Sequence, residues 1–161
     1  MRPDPLSTYR QAPLAELLAV LLRQFRRPLA AHGVTFTDAE AAEIARRLAE
    51  NTPLDARETA LRDALAVLVR ESEGVLARWS LTFAQSLAAD MDAIPGWETT
   101  AEFLEIANEK TNAELRIATG SALLVALGDT IFIPHLETLV RRGEPDLDTV
   151  IAERVLALIQ S

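Results

Sequence analysis

Four times along this chain a Thr or Asp stands three residues ahead of a Glu at the head of an apolar run: Thr37 with Glu40, Asp55 with Glu58, Thr99 with Glu102, and Thr111 with Glu114. In a capping pair of this kind the short side chain accepts from the backbone N–H three residues on, and the Glu reaches back to the first N–H. Each pair is thus an expected helix start. The runs that follow keep helical spacing: Ala41, Ile44, Ala45 and Leu48 share one face, as do Leu61, Leu65, Leu68 and Val69.

The remaining boundaries follow from Pro, Gly and Asp. Pro13 opens a segment with Leu14, Leu17, Leu18, Leu21, Leu22 and Phe25 on one face, with a bend or break expected at Pro28 and an end at Gly33. Gly74, after Glu71-Ser72-Glu73, divides an otherwise very long periodic stretch, and the Ile94-Pro95-Gly96 turn ends it. A further break is expected between Asn108 and Asn112. Gly128 and Gly143 read as helix stops, Asp129 or Thr130 as the cap of the segment reaching Arg142, and Asp146 or Asp148 as the cap of the last helix. About eight helices and no strand result. Composition agrees: of 161 residues 27 are Ala and 25 Leu, against 14 Gly and Pro together. One all-helical domain over residues 1–161 is expected.

Arg78, Arg116 and Arg154 recur at one even interval, each near the start of an expected helix, and Ile94-Pro95 returns as Ile133-Pro134 after almost the same interval. A shared period of this size, holding two helices, is the mark of stacked helical hairpins. It divides the chain into an N-terminal hairpin or cap at 12–52 and repeat-like units at 53–91, 92–128 and 129–160. In such a stack the arginines would form a ladder to carbonyls or acidic groups of adjacent units, while Ala118, Gly120, Ala122 and Ala126 would let helices approach closely.

The stretch Asn112-Ala113-Glu114-Leu115-Arg116-Ile117-Ala118, with Ala126-Leu127-Gly128-Asp129, Ile133-Pro134, Leu139-Val140 and Pro145-Asp146, resembles the HEAT-like repeat of the phycobilisome-lyase type. The resemblance is best over residues 112–160. It implies an all-α fold, a short α-solenoid of about four stacked helical hairpins, and a non-enzymatic module for protein–protein interaction in a scaffold or regulatory role. A bilin-lyase-like or other small-ligand-handling subunit is the alternative. A relative of the HEAT-like DNA glycosylases ranks behind both, because it needs a basic concave groove with aromatic residues.

Charge narrows the partners. With 24 acidic and 16 basic residues the net charge is −8, a field that opposes phosphate backbones, so nucleic acid is not an expected partner. Fifteen of the basic residues are Arg and only Lys110 is Lys. Arg23, Arg26 and Arg27 form the one dense basic cluster, read as a solvated face. The absence of Cys excludes disulfides, thiolate catalysis and Cys-ligated zinc. The longest uncharged run, Ile117 to Gly128, is well short of a membrane span, and Leu17 to Leu22 lacks the flanks of a secretory signal. A cytoplasmic protein is expected, with a protein partner and no membrane association.

No phosphate loop, zinc-protease motif or nucleophile elbow is present. His32 and His135 stand far apart in the sequence, and His135 reads as a packing or exposed residue at a helix start. Glu102, Glu105 and Glu109, with Asp90 or Asp92, have the spacing to hold a hard cation, but a solvated helix face is the better explanation of them. Trp97 reads as a plug between hairpins, and Trp79 as an inter-repeat core position or a binding anchor. No catalytic residue, cofactor or metal site is assigned. Arg78, Trp79, Arg116 and Arg154 are the candidate interaction surface. The first helix, through Leu17, Leu18, Leu21 and Leu22, is the expected end cap or the contact with a second copy of the chain.

Overall fold

The computed structural model describes residues 7–54, 57–88, 101–143 and 147–160. Among them are eight α-helices and no strand: α1 (Ser7–Gln11), α2 (Leu14–Gln24), α3 (Arg26–Ala31), α4 (Asp38–Ala49), α5 (Arg57–Ala88), α6 (Ala101–Ala126), α7 (Ile133–Arg142) and α8 (Leu147–Gln160). The all-α class read from the caps and composition is therefore correct. Asp55, Asp90, Asp92, Ile94, Pro95, Gly96, Trp97, Thr99 and Asp146 lie outside the described residues, as do the side chains of Glu102 and Glu105.

Local signals set several ends as expected. Thr37 and Glu40 form the reciprocal box, with Glu40 N–H donating to Thr37 Oγ1 and Thr37 N–H to Glu40 Oε1, each at 3.1 Å. Thr37→Ala is expected to lower stability by about 1 kcal/mol, measured by denaturant unfolding, whereas Thr37→Ser retains most of it. Gly128 and Gly143 end α6 and α7 with φ of 95° and 63°, backbone that a side chain disfavours. Asp129 caps the 3-10 turn Thr130–Phe132 by accepting from Ile131 N–H at 3.3 Å.

The break expected at Pro28 falls three residues earlier, at Phe25. Pro28 has no N–H to give the carbonyl of Gln24 and its ring crowds that carbonyl, so the helix is interrupted in the preceding turn. Pro28 then sits in the first turn of α3, where its missing N–H goes unused.

Two expected breaks are absent. α5 continues for 32 residues through Gly74, and α6 continues for 26 through Asn108–Asn112. At the first site, Ser72 is buried and donates to Leu68 O at 2.9 Å within the helix. At the second, Lys110 pairs with Glu114 one turn on at 3.1 Å, and Ala113 is buried, so the Thr111–Glu114 box lies inside a helix rather than at its start. A helix-interior Gly costs about 1 kcal/mol. Interrupting α5 or α6 would expose more than that, because they pack on each other along their lengths.

That pairing is antiparallel. Arg62, near the start of α5, donates to Leu127 O beyond the end of α6 at 2.8 Å; Val69 faces Gly120; and Lys110, early in α6, lies 4.6 Å from the ring of Trp79, late in α5. Arg78 and Arg116, one interval apart in the sequence, thus sit on adjacent antiparallel helices. They do not form the column on parallel helices that a repeat of this period requires, and an antiparallel helix pair takes its place here.

α2 packs against α4, α3 against α5, and α8 against both α6 and α7, around one continuous core. Leu17, Leu18, Leu21 and Leu22 are 0–6% exposed in that core. They are consumed within one chain, so these four leucines do not present a surface to a second copy.

Candidate functional site

An open cleft of about 490 Å³ lies where the α2–α3 corner meets α6. Arg23, Arg26 and Arg27 follow helical i, i+3, i+4 spacing across the Phe25 break and form one wall. Arg116, Asn112 and Leu115 on α6 line the other, with Phe25 and Pro28 at the corner. The local sequence explains the wall: Phe25 is 3% exposed and anchors the corner in the core, which turns the arginines outward.

The four guanidiniums are not equivalent. Arg26 is paired with Asp38, and its guanidinium carbon lies 5.5 Å from the centroid of the Phe36 ring. The hydrogen bond and charge of Arg26, with a smaller contribution from the charge of Arg23, hold the Asp38 carboxyl below its ordinary range. Arg23, Arg27 and Arg116 are exposed, and no acidic side chain among the described residues forms an ion pair with them or lines the cleft. In a chain of net charge −8, this is a local field of opposite sign.

A second cleft, of about 380 Å³, opens on the other side of Leu115. Its apolar floor includes Leu76, Ile117 and Leu139, and its rim carries Glu114, His135 and Arg142. His135 Nε2 lies 2.9 Å from Glu73 Oε1, joining α7 to α5, and its ring is tilted against Phe132 at 5.8 Å. Leu115, 44% exposed, is an apolar ridge between the two clefts.

A smaller cavity between α4 and the start of α5 is charged but self-satisfied. Glu40 pairs with Arg57, and Glu43 with Arg46 at 2.6 Å and Arg47 at 3.0 Å. Hydrogen bonds from Arg46 and then Arg47 pull the Glu43 carboxyl down from 4.5 to about 2. A depressed folded-state value adds stability at pH above 4.5 that is lost as pH falls through about 2. The thermal midpoint is therefore expected to fall across that window. Glu43→Gln flattens the fall in a circular-dichroism melt series, and an unchanged pH slope would show that the pair contributes nothing.

Of the residues nominated from sequence, only Arg116 lines the arginine cleft. Arg78 is exposed on α5. Trp79 is half-buried beneath the Lys110 ammonium. Arg154, on α8, donates to Tyr9 O at 2.9 Å and to Ala12 O, which ties α8 to the α1–α2 junction beside the Arg10–Glu153 pair. It satisfies carbonyls, as a ladder arginine would, but those of the N-terminal helices. Sequence reasoning undervalues Arg23 and Arg27. Their spacing across a Pro-dictated corner is the available signal, and Arg116 opposite them is not visible in it. Among the described residues no group of three His, Asp or Glu side chains comes together to hold a metal ion, and no helix is long and apolar enough to cross a membrane.

Comparison with protein-family models, curated proteins and solved structures finds no match to this chain. The functional reading therefore stands on the two clefts and the ridge between them.

Proposed function

We propose that this chain is a non-enzymatic helical module that binds a protein partner along α6, in a scaffold or regulatory role. The observation that carries the reading is Leu115: a large aliphatic side chain, 44% exposed, flanked by a cavity on each side. Ile131 is more exposed, at 73%, but stands on a turn and lines neither cleft. An aliphatic ridge between polar-rimmed cavities has the form of a protein-binding groove, with an apolar centre and a polar rim. Kinship with HEAT-like repeats belongs to the same proposal for residues 112–160. Its support is that Leu127-Gly128-Asp129 and Ile133-Pro134 join α6 to α7 as a hairpin, with α8 packed on both.

The test is affinity capture from a lysate of the source organism with the wild-type chain and with Leu115→Asp, a change at an exposed position that is expected to leave the circular-dichroism spectrum unchanged. A defined protein held by the wild type and lost from the variant is expected. Equal capture by both would remove α6 as the binding surface.

A second reading is favoured by the arginine cleft itself. A linear tetrapyrrole carries propionates that pair with guanidiniums and rings that cover an apolar floor, and both kinds of lining are present. Titration with biliverdin tests it: a shifted absorbance band that is lost in Arg116→Ala supports a bilin-handling role, and an unshifted spectrum removes it.

A further inference from the structure

We infer that the arginine cleft recognises an acidic segment of the partner protein, in which glutamate or aspartate side chains alternate with an aliphatic residue. The inference rests on the protein-binding reading of α6 and names the chemistry that reading leaves open. Three observations lead to it.

First, the charge complementarity is local. Arg23 and Arg27 on one wall and Arg116 on the other form no ion pair with an acidic side chain among the described residues, whereas Arg26 beside them is already held by Asp38. Like-charged guanidiniums repel one another, and a carboxylate placed among them is favoured. Second, they are spread along the walls of an open cleft and remain exposed, rather than converging in a dry pocket. That suits several carboxylates on a chain better than one enclosed phosphate. Asn112 and Gln24, also in the lining, offer amides that can both donate to and accept from a peptide backbone.

Third, Leu115 adjoins the arginines, and covering it needs an apolar side chain from the ligand. A sugar-phosphate backbone has none. Nucleic-acid bases would require exposed rings to stack on, and the one aromatic residue of this cleft, Phe25, is 3% exposed. An acidic peptide with a leucine between its glutamates satisfies all three conditions.

The test uses the full chain and a fluorescein-labelled peptide of repeated Glu-Glu-Leu triplets, read by anisotropy at low and high NaCl. Binding is expected at low salt and weakens as salt rises. Arg23→Ala, Arg27→Ala and Arg116→Ala each weaken it by about two- to fivefold, the range of one exposed ion pair, and the triple variant by about tenfold or more if they add. Arg141→Ala, exposed on α7 and absent from the cleft lining, leaves it unchanged. No binding at low salt, or an unchanged affinity in the triple variant, would overturn the inference. So would tighter binding of an oligothymidylate, which would make the cleft a nucleic-acid site. So would a dimer in sedimentation that the triple variant abolishes, which would make a second acidic copy of this chain the occupant. Loss on Leu115→Asp alone would leave the groove reading standing without the acidic ligand, and loss in no variant would remove both.

Discussion

Phe25→Ala is expected to lower the unfolding free energy by about 3–5 kcal/mol, the range for a buried aromatic residue truncated in a core. Phe25 is 3% exposed, closes α2, precedes α3, and reaches α6 at Gly120. Truncation leaves a void where three helices meet, at a residue whose backbone already departs from a regular helix to accommodate Pro28. In a chain of this size about 1 kcal/mol moves the thermal midpoint by about 2–4 °C, so a fall of about 6–20 °C is expected. Phe25→Leu should recover most of it. The same substitution to Ala is expected to weaken binding of the Glu-Glu-Leu peptide, because Arg23 and Arg27 lean on that corner. A loss below about 1 kcal/mol would mean that the corner does not pack on α6.

The second large effect is at Gly120, in the middle of α6. On helix propensity alone, Gly120→Ala would stabilise by about 1 kcal/mol. Tertiary packing reverses the sign, because a Cβ there would stand 2.7 Å from Val69 Cγ2, and Val69 is fully buried with a stiff β-branched side chain. Overpacking of this kind costs about 1–3 kcal/mol, and Gly120→Val belongs at or above the upper end. The decisive measurement is a double-mutant cycle. In a Val69→Ala background the clash is gone, the propensity gain remains, and Gly120→Ala should become neutral or stabilising. A stabilising Gly120→Ala in the wild-type background would show that α5 and α6 lie farther apart than this packing requires.

Both substitutions bear on how much of the molecule is legible in advance. The small residues of α6 read as a surface for close helix approach, and Gly120 against Val69 is that approach. The identity of the neighbour is not legible. The spacing of Arg78 and Arg116 points to a parallel repeat partner, whereas the neighbour is α5, running the other way. The spacing misleads because a recurring Arg marks similar helix chemistry without specifying direction. The candidate site is legible only in part. Arg116 stands out in the sequence and lines the cleft, and Arg23 and Arg27 stand out as dense charge. Their confrontation needs the Phe25 corner to be placed against α6.

Taken alone, the amino-acid sequence determined the all-helical class, the Thr37–Glu40 cap, the stops at Gly128 and Gly143, and the apolar face of Leu17, Leu18, Leu21 and Leu22. These depend on hydrogen bonds and spacing within a few residues, which the chain carries with it wherever it goes. Only the tertiary structure decided that Gly74 and the Thr111–Glu114 pair lie inside long helices, and which arginines share a cleft. A cap or a glycine is worth about 1 kcal/mol. Burying one more large aliphatic side chain is worth about 1.5–3 kcal/mol. Where α5 and α6 gain several such contacts by running on together, burial outweighs the local signal to stop.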